Sequence, residues 1–259
     1  MNPMSRTTTA NKNFAKALLT AFILLTAVPA TTQARDRKDN GSEQAAEQKY
    51  PQATRKAPEQ KVSSDLQSKI EKLFKAYQNK DAATVVQLAD EVVSNQKASA
   101  YEHALAARIA GVTLLNTDND KAKAYLEQAV AFDGLSNNEH YESMNLLAQM
   151  DLVDQQYDKS LAMIDRFLTE TKVQDPDSLV IKGNDLYRLK RYPEAIASLK
   201  AAIDASQEPK PEWLNLLMAS YFDAGQPQEA TKIAEGLIAK PVPAEAPVAE
   251  DFDIDALFG

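Results

Sequence analysis

The sequence predicts an all-α protein, an α-solenoid of about five stacked helical hairpins flanked by two non-helical, disordered tails. Three observations carry that reading. Glycine is scarce, at 7 of 259 residues, too few for the glycine-punctuated turns of most all-β architectures. Apolar residues recur at three- and four-residue spacing, as in Leu66-Ile70-Leu73-Phe74-Tyr77 and Ile196-Leu199-Ala202-Ile203, the signature of amphipathic helices. The pattern also repeats. A small or short residue that admits a second helix against its partner falls at Thr84, Ala122, Ser160, Ala195 and Ala230, spaced by 38, 38, 35 and 35 residues.

The first element is an address. Arg6, Lys12 and Lys16 form a basic leader, followed by an apolar run from Ala17 to Val28, then Pro29 and the small-residue stretch Thr32-Gln33-Ala34. This is the order of a secretory signal peptide, placed at 1–34. The 12 apolar residues reach about 18 Å as a helix, short of the roughly 30 Å hydrocarbon core. The mature chain is therefore expected in the periplasm, with no stable membrane insertion. Residues 35–63 are polar and read as a disordered leader, since little apolar surface offsets the entropy of ordering them.

The helical array spans 64–240, with breaks at Asn79-Lys80-Asp81, Asn116-Thr117-Asp118-Asn119 and Ala224-Gly225-Gln226-Pro227 separating paired segments. The unit at 176–209 has the clearest pattern. Gly183 sits where its two helices come closest and a Cβ would clash, while Leu179, Leu186 and Leu199 supply bulk. Tyr192 opens the second helix, and Ala195 and Ala202 let it approach. The 141–175 unit repeats this with Leu147, Ala148, Tyr157, Ser160 and Phe167, and the 103–137 unit with Ala110, Gly111, Ala122, Leu126 and Ala129. The first unit, 65–95, is weakest, and its register is open by one residue. Beyond the array, Pro241, Pro243 and Pro247 form an extended spacer ending in Asp251-Phe252-Asp253-Ile254-Asp255-Ala256-Leu257-Phe258-Gly259. That acidic-aromatic peptide either contacts a partner or folds back on the last helix.

The period and its small-residue positions resemble the tetratricopeptide repeat (TPR), about 34 residues per helix-turn-helix unit. Within 141–243, the run Arg191-Tyr192-Pro193-Glu194-Ala195-Ile196-Ala197-Ser198-Leu199-Lys200-Ala201-Ala202-Ile203, then Glu208-Pro209-Lys210-Pro211-Glu212-Trp213-Leu214, is similar to exported proteobacterial TPR proteins associated with TonB–ExbB–ExbD systems. That resemblance implies a periplasmic adaptor helping couple an inner-membrane motor to outer-membrane transport. The chain departs from the family after Lys240.

In such an array the first helix of each hairpin lines the concave side. Inward positions carry Asn145 and Gln149, then Asn184, Tyr187 and Arg188, then Asn215 and Phe222, which are the expected partner-binding residues. Amides at successive turns suit an extended peptide, because each both donates and accepts; Tyr187 adds a flat face and Arg188 a carboxylate partner. In the second unit the matching positions are Ala104, Ala107 and Leu114, either a hydrophobic end to the groove or a contact with the first hairpin.

No catalytic or cofactor site is expected. Cysteine is absent and the two histidines read as surface residues, His103 beginning a helix and His140 in a turn. Acid pairs such as Asp118 with Asp120 lack the order of a calcium loop. Lys182 and Lys190 read as a solvated basic face around Arg188, and Trp213 as a groove cap or a core residue. With 29 basic against 37 acidic residues and a net charge of −8, no nucleic-acid footprint exists. Two functions follow: a periplasmic scaffold holding a protein or peptide in its groove, or an envelope assembly factor acting through its C-terminal peptide.

Overall fold

The computed structural model describes residues 48–238, and among these there are ten helices and no strand. They are α1 (Ser64–Gln78), α2 (Ala82–Val93), α3 (Ala100–Leu114), α4 (Asn119–Ala131), α5 (Asn137–Val153), α6 (Tyr157–Thr171), α7 (Pro176–Arg188), α8 (Tyr192–Ala205), α9 (Pro211–Asp223) and α10 (Pro227–Ile238). Each packs on the next in chain order, making the five expected hairpins. The odd helices also touch one another, α1 with α3, α5 with α7 and α7 with α9, so they form the inner layer of the stack. The segments read as a signal peptide, as residues 35–47 of the polar leader and as the C-terminal spacer and peptide lie outside the described residues. No described helix is long and apolar enough to cross a membrane.

Local chemistry sets the helix ends. Ser99 and Ser136 each form a capping box, with Glu102 and Glu139 three residues on. Asp81, Asp118 and Asp175 each accept from the backbone N–H of the third residue after them, and Pro176 and Pro211 open α7 and α9 with φ already set. Every turn inside a hairpin carries one residue at positive φ: Lys80, Asn116, Gln155, Lys190 and Gly225. Five residues of four types thus adopt one backbone conformation, because the crossing of the two helices demands it.

At three of the five positions the small residues do what their spacing predicts, while Ala230 in the last hairpin is only half-buried. Ala122, Ser160 and Ala195 are fully buried, as are Ala129 and Ala202 seven residues on. A Cβ added to Gly183 would lie 2.6 Å from Leu199 Cγ, inside van der Waals contact. In the first hairpin the position falls on Val85, fully buried together with Val92, while Thr84 is half-buried with its hydroxyl donating to Asp81. The open register is thereby settled one residue later. Ala104, Ala107 and Leu114 belong to the core shared with α1 and α2, so they contact the first hairpin and form no part of a groove.

Two expectations are corrected. Residues 48–63, read as disordered, form an extended strap crossing the loops that join successive hairpins. Tyr50 packs edge-on to Tyr141 (5.3 Å) and Phe167 (5.7 Å) beside the α6–α7 loop. Thr54 N–H donates to Glu170 O at 2.8 Å. At the α4–α5 loop, Arg55 donates to Asp133 Oδ1, Asn137 Oδ1 and the carbonyls of Asp133 and Leu135. At the α2–α3 loop, Ser63 donates through its amide and hydroxyl to Glu102 Oε1. A few anchors hold this polar segment; apolar density, which composition measures, does not. His140 is the second correction. The Ser136 capping box starts α5 before it, placing it in the first turn of a helix and fully buried.

Candidate protein-binding face

The inner layer presents three groups of side chains on consecutive hairpins. On α5, Gln149 Nε2 donates to Asn145 Oδ1 at 2.8 Å, and Asn145 Nδ2 donates onward to Ser178 Oγ of α7 at 2.7 Å. Ser178 Oγ in turn donates to Asp175, the N-cap of α7. The two amides therefore stitch hairpin three to hairpin four and remain half-buried. On α7, Arg188 Nε faces Asn184 Oδ1 at 3.4 Å. Asn184 itself is only 2% exposed, so its amide serves the helix packing and Arg188 supplies the accessible charge. Tyr187 OH donates to Asp223 Oδ2 on α9 at 2.8 Å, and its ring leans on Tyr192. Burial and the Asp223 carboxylate push the Tyr187 phenol up to about 12, so it stays a donor at physiological pH.

Phe222, beside Asp223 at the end of α9, is 67% exposed. Asn215 is half-buried, and among the described residues it makes no side-chain hydrogen bond to the other six. The structure thus joins Asn145 with Gln149, Asn184 with Arg188, and brings Tyr187 to the helix end bearing Phe222.

Sequence reasoning missed the charged end of this face. Arg108 on α3, 5% exposed, reaches across to Glu142 of α5 at 3.0 Å, and Glu142 also takes Lys49 of the strap at 2.5 Å. An arginine inside the alanine-rich run of α3 was the available signal. Trp213 is a core residue at 4% exposure, with Lys210 Nζ 5.3 Å over its ring. Lys182 is paired with Asp165.

Behind the face lies a buried carboxyl. Asp185 is fully buried and accepts from Ser160 Oγ at 2.6 Å; desolvation, reinforced by Asp151, Asp165 and Asp158, pushes it up to about 8. Lys123 bridges Asp151 and Asp154 at 2.6 Å each. Among the described residues, no group of acids or histidines is arranged to hold a metal ion.

No family model matches the chain, and no curated protein matches it in sequence. In structure it is similar to MamA of strain AMB-1, at 18% identity and TM-score 0.53 over 68% of this chain and 92% of that one. MamA from Desulfovibrio magneticus RS-1 matches at 11% identity and TM-score 0.53, over 69% and 96%. A Podospora anserina kinesin light chain protein of nearly identical TPR-like repeats matches at 20% identity and TM-score 0.48, over 68% and 94%. The fold is that of a TPR-like solenoid. At these identities the likeness shows the fold alone.

Proposed function

We propose that this protein is a periplasmic scaffold that holds an extended segment of a partner protein against its inner face, within an envelope complex of the TonB–ExbB–ExbD type. The observation carrying the binding reading is the exposed Phe222 beside the Tyr187–Asp223 pair, with the Arg188 guanidinium one residue from Tyr187. An apolar anchor, a phenol and a cation at one end of an amide-lined face are the groups that fix an extended peptide by one pocket, one hydrogen bond and one carboxylate. The secretory signal order of residues 1–34 and the resemblance of 141–243 support the location and the TonB association.

The test is capture from a periplasmic extract by the tagged protein and by a Tyr187→Ala, Arg188→Ala, Phe222→Ala variant. Loss of a co-purifying protein in the variant, with unchanged helicity, supports the reading. Equal capture by both removes the inner face from the function, and identification of the captured protein decides the TonB association.

A further inference from the structure

The strap runs along the edge where the inter-hairpin loops line up and borders the inner face at Glu142 and Asn145. Its segment 48–57, Gln-Lys-Tyr-Pro-Gln-Ala-Thr-Arg-Lys-Ala, holds three cations and no acid in an otherwise acidic chain. What receives it is anionic and aromatic. Lys49 Nζ meets Glu142 at 2.5 Å, the Tyr50 ring sits between Tyr141 and Phe167, and Arg55 Nε meets Asp133 Oδ1 at 2.7 Å. The fit is specific at both ends: Arg55, although on a surface segment, is 8% exposed and spends its guanidinium on two side chains and two carbonyls. Between these anchors the strap makes one backbone hydrogen bond to the array, Thr54 N–H to Glu170 O. Pro51, Gln52, Thr54, Lys56 and Ala57 are exposed. A segment held by the side chains of Lys49, Tyr50 and Arg55, with exposed residues and a single backbone hydrogen bond to the array between Tyr50 and Arg55, is held as a bound peptide is held.

We propose that this edge is a second peptide-binding site, for an extended basic segment with a tyrosine five residues before an arginine, and that residues 48–57 occupy it in cis until such a segment on a partner protein replaces them. Tethering gives the cis strap an effective concentration of the order of millimolar, so a trans segment with an intrinsic Kd of about 10 µM meets a site about 99% filled and binds about 100-fold more weakly than to the empty site.

The experiment uses the full chain and a fluorescein-labelled synthetic peptide of residues 48–57, read by fluorescence anisotropy. Freeing the site with Tyr50→Ala, Arg55→Ala should raise the affinity for the peptide by ~10- to 100-fold over wild type. A peptide with alanine at the tyrosine and arginine positions should not bind. Adding Asp133→Asn to the strap variant should weaken peptide binding, since it removes the carboxylate that takes the arginine. In wild type, excess peptide should speed hydrogen exchange at the Thr54 amide, a readout that stands even if the variant fails to fold. No binding to the freed site, equal affinity for both proteins, or a Thr54 amide indifferent to peptide each overturns the proposal. So does a concentration-dependent wild-type dimer that the strap variant fails to form, because the occupant would then be the strap of a second copy.

Discussion

Ser160 and Asp185, on α6 and α7, meet across the interface of the third and fourth hairpins in a 2.6 Å hydrogen bond, with both side chains fully out of water. The serine is the small residue that lets α6 approach, and the acid is the polar group that would otherwise be stranded there. Asp185 Oδ1 has no hydrogen-bond partner among the described residues, which agrees with a carboxyl kept neutral by its surroundings.

That neutrality makes stability pH-dependent in an unusual direction. The folded Asp185 holds its proton up to about 8, whereas unfolded it titrates near 3.8. Its contribution is fully present below the unfolded value and is lost as pH rises through the folded one. Denaturant melts should lose up to about 1.4 kcal/mol per pH unit between about pH 5 and 7 from this group. Asp185→Asn should flatten that limb; an unchanged slope would show that Asp185 is ionised in the folded protein.

His140 works from the acid side. Desolvation, then Arg55, lower it from 6.5 to about 4, against the opposing pull of Asp133, whose Oδ1 is 3.6 Å from Nδ1. The stability this neutral imidazole permits is complete above 6.5 and lost as pH falls through 4, roughly 3 kcal/mol in all. His140→Phe should remove the slope between those values in urea melts repeated across that range.

The crossing of α7 and α8 depends on Gly183. Gly183→Ala should cost about 1–3 kcal/mol, because Leu199 is fully buried and must leave its rotamer to make room. In a Leu199→Ala background the same change should cost less, since the obstacle is gone and alanine is the better helix former. Additive effects in that double-mutant cycle would contradict the contact.

Gly225 isolates the backbone. Its φ is +74° and a Cβ there would touch nothing within 4 Å, so Gly225→Ala should cost about 1 kcal/mol through strain alone, read as a lower urea midpoint at constant m.

The solenoid was legible because its determinants recur. Gly111 and Gly183, and the alanines at 122, 129, 195 and 202, mark helix crossings at fixed intervals, and repetition turns weak local signals into a strong one. The strap was not legible because Tyr50 and Arg55 act singly in a segment whose average composition is that of a disordered chain. His140 was misplaced because Asn137-Asn138 reads as a turn, although the Ser136–Glu139 capping box already starts the helix there. Of the inner face, the positions were readable but not their states. That Asn184 is spent on packing while Arg188 is accessible depends on how closely α7 approaches its neighbours, which no spacing encodes.

The proposed function makes the inner layer the surface that meets a partner. Photo-crosslinking tests it most directly, with benzoyl-phenylalanine placed at Phe222 on α9 in one protein and at the exposed Lys200 on α8 in another, each irradiated in periplasmic extract. An adduct from position 222 with none from position 200 is the predicted result. Equal adducts from both positions, or adducts from position 200 alone, would contradict it.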